Sequence, residues 1–303
     1  MKARQRSRPS AFGLQPSAAG KSLRLPLVTA ELQETLQRAA RDNAESIECS
    51  VDLGRTRTTV IPRCDHWEWQ GKRYPYLESC KERTVYFWEE GAFHPISRYR
   101  ASLIKLVPTP WGPPTFEIDG IKMLPTEQVS PFDDAAHKVA SIRPRGKRVL
   151  DTCGGLGYFA VWCLRSGAQE IRSYEREPDV LWLRGLNPWS PEGSGEADER
   201  LHLELGDVTQ RIAGLPDAAF DAALHDPPRF GIAGELYSLD FYRELARVLK
   251  SDGRLFHYTG APNRAATGRN LAKEVELRLR RAGFSTRPML DGVFAVKERA
   301  GRD

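Results

Sequence analysis

From Arg148 onward, short apolar runs alternate with helical stretches, and this alternation limits the fold more than any other feature of the 303-residue chain. RVLDTC (148–153) reads as a strand, Tyr158 to Ser166 as a helix, EIRSYE (170–175) as a strand and Glu177 to Leu186 as a helix. LHLELG (201–206) and FDAALHD (220–226) follow as strands, then a helix from Leu239 to Lys250, the strand GRLFHYT (253–259) and a helix from about Gly268 to Ala282. FSTRPML, Asp291-Gly292 and VFAVKER close the series, and Asp-Gly between two extended runs signals a hairpin. Strands joined through helices run parallel, whereas a terminal hairpin reverses one strand. The expected fold class is therefore α/β, a seven-stranded Rossmann-like sheet.

Upstream the character differs. Ala30 to Ala44 has helical composition, with Leu32, Leu36 and Ala39 on one face. From Ser46 to about Met123, runs such as IECSVDL, RTTVIP, TVYFWEE and FEIDGIKM are rich in β-branched and aromatic residues, and Gly54, Gly71 and Gly91 separate several of them. Pro125 to Pro131 reads as a linker, and a helix is expected from Asp133 or Asp134 through about Ile142. The expected division is a basic tail over 1–29, a smaller β-rich N-terminal domain over 30–125 that binds substrate, and the α/β domain over 126–303.

Charge singles out the tail. Residues 1–24 carry Lys2, Arg4, Arg6, Arg8, Lys21 and Arg24 and no acid, so the rest of the chain sums to −1 of the net +5. A basic, Ser/Pro-rich segment is expected to be disordered alone, and it reads either as a phosphate-holding arm or as a solubilising leader. No apolar run approaches the ~20 residues of a membrane span, and no apolar segment of a secretory signal follows the basic N-terminus. Cys49, Cys64, Cys80, Cys153 and Cys163 form no CxxC pair, which favours reduced thiols and a cytoplasmic location. Cys64, His66 and Cys80 lack the paired spacing of a zinc site, so no metal is expected.

Four segments carry chemistry. VLDTCGGLGY (149–158) runs an apolar strand into Gly154, Gly155 and Gly157, where the backbone turns tightly and a ligand can lie close against it. Glu175 ends the second strand, where an acid accepts hydrogen bonds from ribose hydroxyls. Gly206-Asp207 ends the third; an aspartate there accepts from an adenine amino group or caps the next helix, and both readings stand. In FDAALHDPPRF (220–230), Asp226 ends a strand and Pro227 and Pro228 make the exit rigid. Asp226 and the carbonyl of Pro227 can accept both N–H bonds of an exocyclic amine and pin its nitrogen toward a methyl donor. Asn187-Pro188-Trp189 reads as a helix stop, His225 and His257 as packed strand residues, and Tyr258 as a strand-exit residue that faces substrate or packs. No cysteine follows Cys163, which disfavours a thiol nucleophile near the Asp226 loop.

Taken together, DTCGGLGY, YERE, LGDV, DPP and the terminal hairpin resemble the class I S-adenosylmethionine-dependent methyltransferases. LNPWS, GDV, HDPPRFGIAGELYSLDFYRELARVLKSDGRLFHYTG and RLRRAGF are similar, more narrowly, to the predicted archaeal methyltransferase family with a DPP motif, over roughly 45–300. This resemblance implies S-adenosylmethionine as cofactor, with contacts at Asp151, Gly154, Gly155, Gly157, Tyr158, Glu175 and Asp207. It also implies catalytic roles for Asp226, Pro227 and Pro228. The signature Asp/Asn-Pro-Pro-aromatic is broken at Arg229, so Phe230 or the Arg229 guanidinium takes the stacking role. The expected activity is N-methylation of an exocyclic amine of RNA, with cytosine N4 in ribosomal RNA the narrowest reading. The alternatives are a spermidine-synthase-like aminopropyltransferase, a protein N-methyltransferase and a non-catalytic RNA-binding factor. Aminopropyltransferases typically carry Asp-x-x-Asp at the fourth strand, where this chain has Asp226-Pro-Pro-Arg229.

Overall fold

The computed structural model describes residues 25–192, 198–260 and 270–299. The basic cluster at 1–24 and the expected helix start at Gly268 lie outside the described residues. The first part of the chain holds β1 (Leu27–Val28), α1 (Ala30–Arg41), β2 (Ile47–Cys49), β3 (Thr58–Pro62), β4 (His66–Trp69), β5 (Lys72–Pro75), β6 (Tyr86–Glu89), β7 (Ala92–Pro95), β8 (Ser97–Tyr99), β9 (Leu103–Val107), β10 (Thr115–Ile118) and β11 (Ile121–Lys122). These strands form small antiparallel sheets ordered β1-β6-β7, β2-β3-β4-β5 and β11-β10-β9-β8. Trp67, Trp69, Tyr74 and Tyr86 pack with Leu36 and Val60 into a buried cluster of their own.

The remainder holds α2 (Pro131–Ile142), β12 (Arg148–Asp151), α3 (Tyr158–Arg165), β13 (Glu170–Glu175), α4 (Pro178–Leu186), β14 (Leu201–Leu205), α5 (Val208–Arg211), β15 (Phe220–His225), α6 (Leu239–Val248), β16 (Leu249–Tyr258), α7 (Leu271–Arg281), β17 (Phe284–Met289) and β18 (Gly292–Lys297). Seven strands form one sheet ordered β14-β13-β12-β15-β16-β18-β17. The first five pair in parallel, and β18 is antiparallel to both β16 and β17. This is the expected seven-stranded Rossmann-like sheet.

Both faces of the sheet are covered, which is why its strands read as near-continuous apolar runs. Val149, Ile171, Ala222, Leu224 and Phe256 share a core with residues of α2, α3 and α4. Leu150, Ala223, Leu255, Val293 and Ala295 share the opposite one with α6 and α7. Ile104, Leu106 and Phe116 of β9 and β10 belong to the first of these cores, so the small sheets pack on the α4 side.

Several boundaries differ from the sequence reading, two of them for clear local reasons. Helix α2 starts at Pro131 rather than at Asp133 or Asp134, because Ser130 Oγ accepts from the backbone N–H groups of Phe132 and Asp133 (3.2 Å each) and proline needs no partner at a first helical position. Helix α6 ends at Val248 and not Lys250, because Leu249 is already extended and pairs with Phe220. A bulge between Phe220 and Ala222 then restores the register, with Asp252 at φ 62°.

Candidate active site

Strand β12 lies between β13 and β15, so the crossovers leave it toward opposite sides of the sheet. An open α/β sheet has its ligand crevice at such a point, outside the carboxyl ends of the strands. The glycine loop follows β12 and Asp226 follows β15, so the two segments flank this crevice.

The loop is held from behind. Gly154 N–H donates to the Tyr174 carbonyl (2.7 Å), Gly157 N–H to the Gly154 carbonyl (2.8 Å) and Gly155 N–H to Glu175 Oε2 (2.9 Å). A Cβ at Gly154 would meet Ser173 Oγ at 2.6 Å, and one at Gly157 would meet Arg184 Cζ at 2.6 Å. Asp151 is buried at the end of β12, where Oδ2 accepts from Ser173 Oγ (2.8 Å). Burial pushes its carboxyl up to about 6. The face of Gly155 away from this packing meets the Phe116 ring from β10, at 3.8 Å from an added Cβ, so the N-terminal part reaches the loop.

Glu175 accepts at both oxygens, from Gly155 N–H and from Glu177 N–H (2.8 Å). Each carboxylate oxygen has a second lone pair, so the same group that clamps the loop can still take a diol. Burial raises its pKa above the usual glutamate value. Asp207 caps α5, with Oδ1 accepting from Thr209 N–H (2.9 Å) and Thr209 Oγ1 (2.7 Å). The capping reading is thus realised, and it fixes the carboxylate at the end of β14. With S-adenosylmethionine as the expected ligand, Glu175→Ala should weaken its binding about 10- to 150-fold in titration calorimetry, the range for lost hydrogen bonds to a charged group.

Asp226 sits among groups that the sequence reading left out. Lys138 Nζ of α2 lies 2.7 Å from Asp134 Oδ2, 3.6 Å from Asp226 Oδ2 and 3.9 Å from Asp291 Oδ2 in the β17–β18 turn. The ammonium stands 4.1 Å over the Tyr258 ring. Burial works against its charge, but Asp226, Asp134 and Asp291 more than offset this and hold it protonated above the ordinary lysine range. Asp226 is pushed up to about 6, first by burial and then by Asp134 and Asp291, with Lys138 opposing. The carboxylate is therefore mostly ionised at pH 7 yet basic enough to accept a proton. A signal for Lys138 existed: Phe132, Ala135, Val139 and Ile142 form the buried stripe of α2, and Lys138 interrupts it at helical spacing.

Past Asp226, the Tyr237 hydroxyl donates to the Pro228 carbonyl (2.9 Å), one residue beyond the carbonyl assigned to the acceptor. Phe230 packs edge-on against Tyr237 (5.4 Å), and Arg229 is exposed. His225 and His257 are fully buried and neutral: burial pushes His225 down to about 4 and His257 well below its usual value. His225 Nε2–H donates to the Leu236 carbonyl (2.9 Å) and His257 Nδ1–H to the Tyr258 carbonyl (2.8 Å), so both serve packing. Asn187 ends α4 and donates to Tyr158 Oη (3.1 Å) and Ser190 Oγ (2.9 Å). Tyr158, expected among the cofactor contacts, donates its hydroxyl to the Pro114 carbonyl (2.7 Å), so its side chain ties α3 to the N-terminal part. The sequence distance between the cysteines and the Asp226 loop is also misleading. The fold brings Cys153 within electrostatic range of Asp226, but burial holds its thiol protonated, far from a nucleophile.

No family model matches the chain. It is 42% identical over 222 residues to the "Uncharacterized protein MJ1233" of Methanocaldococcus jannaschii, covering 72% of this chain and 75% of that one. The chain belongs to the MJ1233 family. Its members' shared stretch is long enough to take in more than the α/β sheet, whose strands begin at Arg148. A shorter stretch of 120 residues is 34% identical to polyamine aminopropyltransferase 2 of Streptomyces coelicolor, covering 37% of this chain and only 21% of that relative. Among solved structures, spermidine synthase in complex with the transition-state analogue AdoDATO superposes with a TM-score of 0.53 at 20% identity, over 66% of this chain and 72% of that one. At that identity the likeness speaks for the fold. Among the described residues no helix is long and apolar enough to cross a membrane.

Proposed function

We propose that the chain is an S-adenosylmethionine-dependent N-methyltransferase. Its acceptor is a neutral amine: an exocyclic amine of RNA, with cytosine N4 of ribosomal RNA as the first position to examine. The reading is carried by one observation. Asp226, its carboxyl raised by burial to about 6, follows β15 beside the strand whose glycine loop is clamped by Glu175.

The residues around the crevice fit the cofactor. The loop leaves no room for side chains behind it, Glu175 keeps lone pairs for ribose hydroxyls, and Asp207 stands ready for the adenine amino group. Asp151 Oδ1 is buried without a partner, an acceptor suited to the amino end of the methionine moiety. S-adenosylmethionine supplies an electrophilic methyl group when bound. Asp226 accepts one N–H of the acceptor and holds its lone pair toward that methyl. The nitrogen, once methylated, would carry a surplus proton, and Asp226 or water would take it. A carboxyl with a pKa near 6 takes that proton at pH 7 better than an ordinary aspartate.

Aminopropyl transfer is the second reading, favoured by the 34% identity to a polyamine aminopropyltransferase. Against it stand Arg229 at the place of a second aspartate and Lys138 beside Asp226. The two separate in one experiment. Purified chain is incubated with methyl-labelled S-adenosylmethionine and unmodified ribosomal RNA, and separately with decarboxylated cofactor and putrescine. Label in N4-methylcytidine, or in another N-methylated nucleoside, supports the first reading. Label in protein alone, or transfer only to putrescine, sinks it.

A further inference from the structure

The Asp134–Asp226–Asp291 group is built like a receptor for an alkylammonium, and its occupant is already part of the chain. Lys138 reaches all three carboxylates at 2.7–3.9 Å and lies against the Tyr258 ring, as a cation does on an aromatic face. Its side chain is 1% exposed, whereas those of Asp134, Asp226 and Asp291 are 16%, 14% and 30% exposed. The ammonium is thus the most deeply buried of the four charged groups, and the carboxylates around it are partly exposed. The group has no second explanation as a metal site, since no metal-holding cluster of His, Cys, Asp or Glu exists among the described residues.

We infer that Lys138 is the residue that selects the acceptor: it fills the cation position beside Asp226 and turns an amine-receiving cage into one that admits a neutral amine and rejects a polyamine. The inference rests on the methyl-transfer reading and says why that site differs from one for polyamines. Two physical reasons support it. A tethered ammonium competes with any free one at an effective concentration that no dissolved amine reaches. A second cation would also have to approach the first to about 4 Å where water is scarce, and like charges there repel strongly. A neutral nucleobase amine meets neither obstacle and still finds Asp226 as an acceptor. Asp226 keeps its charge near neutral pH partly because Lys138 opposes the push of Asp134 and Asp291.

The test uses Lys138→Met, the double variant Asp134→Asn/Lys138→Met, which removes one acid along with the lysine, and Lys138→Arg. Circular dichroism and thermal melting first establish folding. Putrescine binding is then followed by titration calorimetry on the full chain at low ionic strength. Labelled S-adenosylmethionine with putrescine reads methyl transfer to the diamine. The wild-type protein and Lys138→Arg should ignore putrescine, while a folded neutral variant should bind it about 10- to 100-fold more tightly and begin to methylate it. The acid limb of its pH profile should also move upward, because Asp226 loses the cation that lowers its pKa. A folded neutral variant with no gain for putrescine would overturn the proposal, as would a wild type that binds the diamine equally well. A gain in Lys138→Arg as large as in Lys138→Met would do the same. Failure of both neutral variants to fold would make Lys138 a structural counter-ion only. The binding arm needs no methyl donor, so it judges Lys138 even where methyl transfer itself is absent.

Discussion

Asp226→Ala should lower methyl transfer by about 10²–10³ while leaving S-adenosylmethionine affinity nearly unchanged, the usual loss for one positioned group that acts in the transition state. In the proposed function, cofactor binding falls to Glu175, Asp207 and the glycine loop, and Asp226 takes no part in it. The loss should therefore appear in kcat and not in the cofactor's Kd. Asp226→Asn separates two roles. The amide keeps an acceptor oxygen and the shape, so positioning alone would survive in part; an amide takes no proton, so a role as base would not. The pH profile adds an independent reading. In the proposed mechanism the ionised carboxylate is the working form, and burial raises its pKa to about 6. Activity should be full above that value and fall as pH drops through it, a limb about two units above that of an ordinary aspartate. In Asp226→Asn this limb should vanish. Wild-type rates in Asp226→Ala, measured with labelled cofactor, would remove Asp226 from the mechanism.

Gly157→Ala should destabilise the protein by about 2–5 kcal/mol and abolish cofactor binding at micromolar concentrations. Two costs add. Gly157 has φ 79°, where a side chain costs about 1–2 kcal/mol. The new methyl would lie 2.6 Å from Arg184 Cζ and 2.7 Å from Pro191 Cδ, and overpacking of this kind costs about 1–3 kcal/mol. Arg184 has little freedom to yield: it is 1% exposed, and its Nε donates to Glu192 Oε2 at 2.8 Å. Any shift is passed to the start of α3 and so to the loop. Gly185→Ala, inside α4 with nothing within 4 Å of an added Cβ, is the contrast. There the substitution should be neutral or stabilise by up to about 1 kcal/mol. Urea unfolding of the two variants beside the wild type would measure both effects. Equal stability for Gly157→Ala would show that the loop has slack which its close contacts do not reveal.

Much of the large sheet was legible before any coordinates, because its signals are local. Strands covered on both faces are apolar throughout, the crossovers carry helical periodicity, and Asp291-Gly292 marks the final reversal. Parallel pairing and the antiparallel edge follow from that order alone. The glycine cluster after β12 and the acid twenty residues on at Glu175 were equally plain, since both are set by the geometry of a single turn. Boundaries such as Leu249 were not, because a bulge trades helix against pairing with a strand about thirty residues earlier. In the N-terminal part, β1, which was read as part of the tail over 1–29, and β4, β5 and β7–β9 escaped the reading: they are short, several are half-exposed, and their mixed residues give no clean alternation. The surroundings of Asp226 were hidden but for one signal, the lysine that interrupts the apolar stripe of α2. Asp134 and Lys138 come from the helix before the sheet, Asp291 from its last turn and Tyr258 from the end of β16. Nothing in the spacing of these residues predicts their meeting. Local sequence sets the direction of each strand and the shape of each turn, whereas a charge cage is decided by which strand ends the crossovers bring side by side.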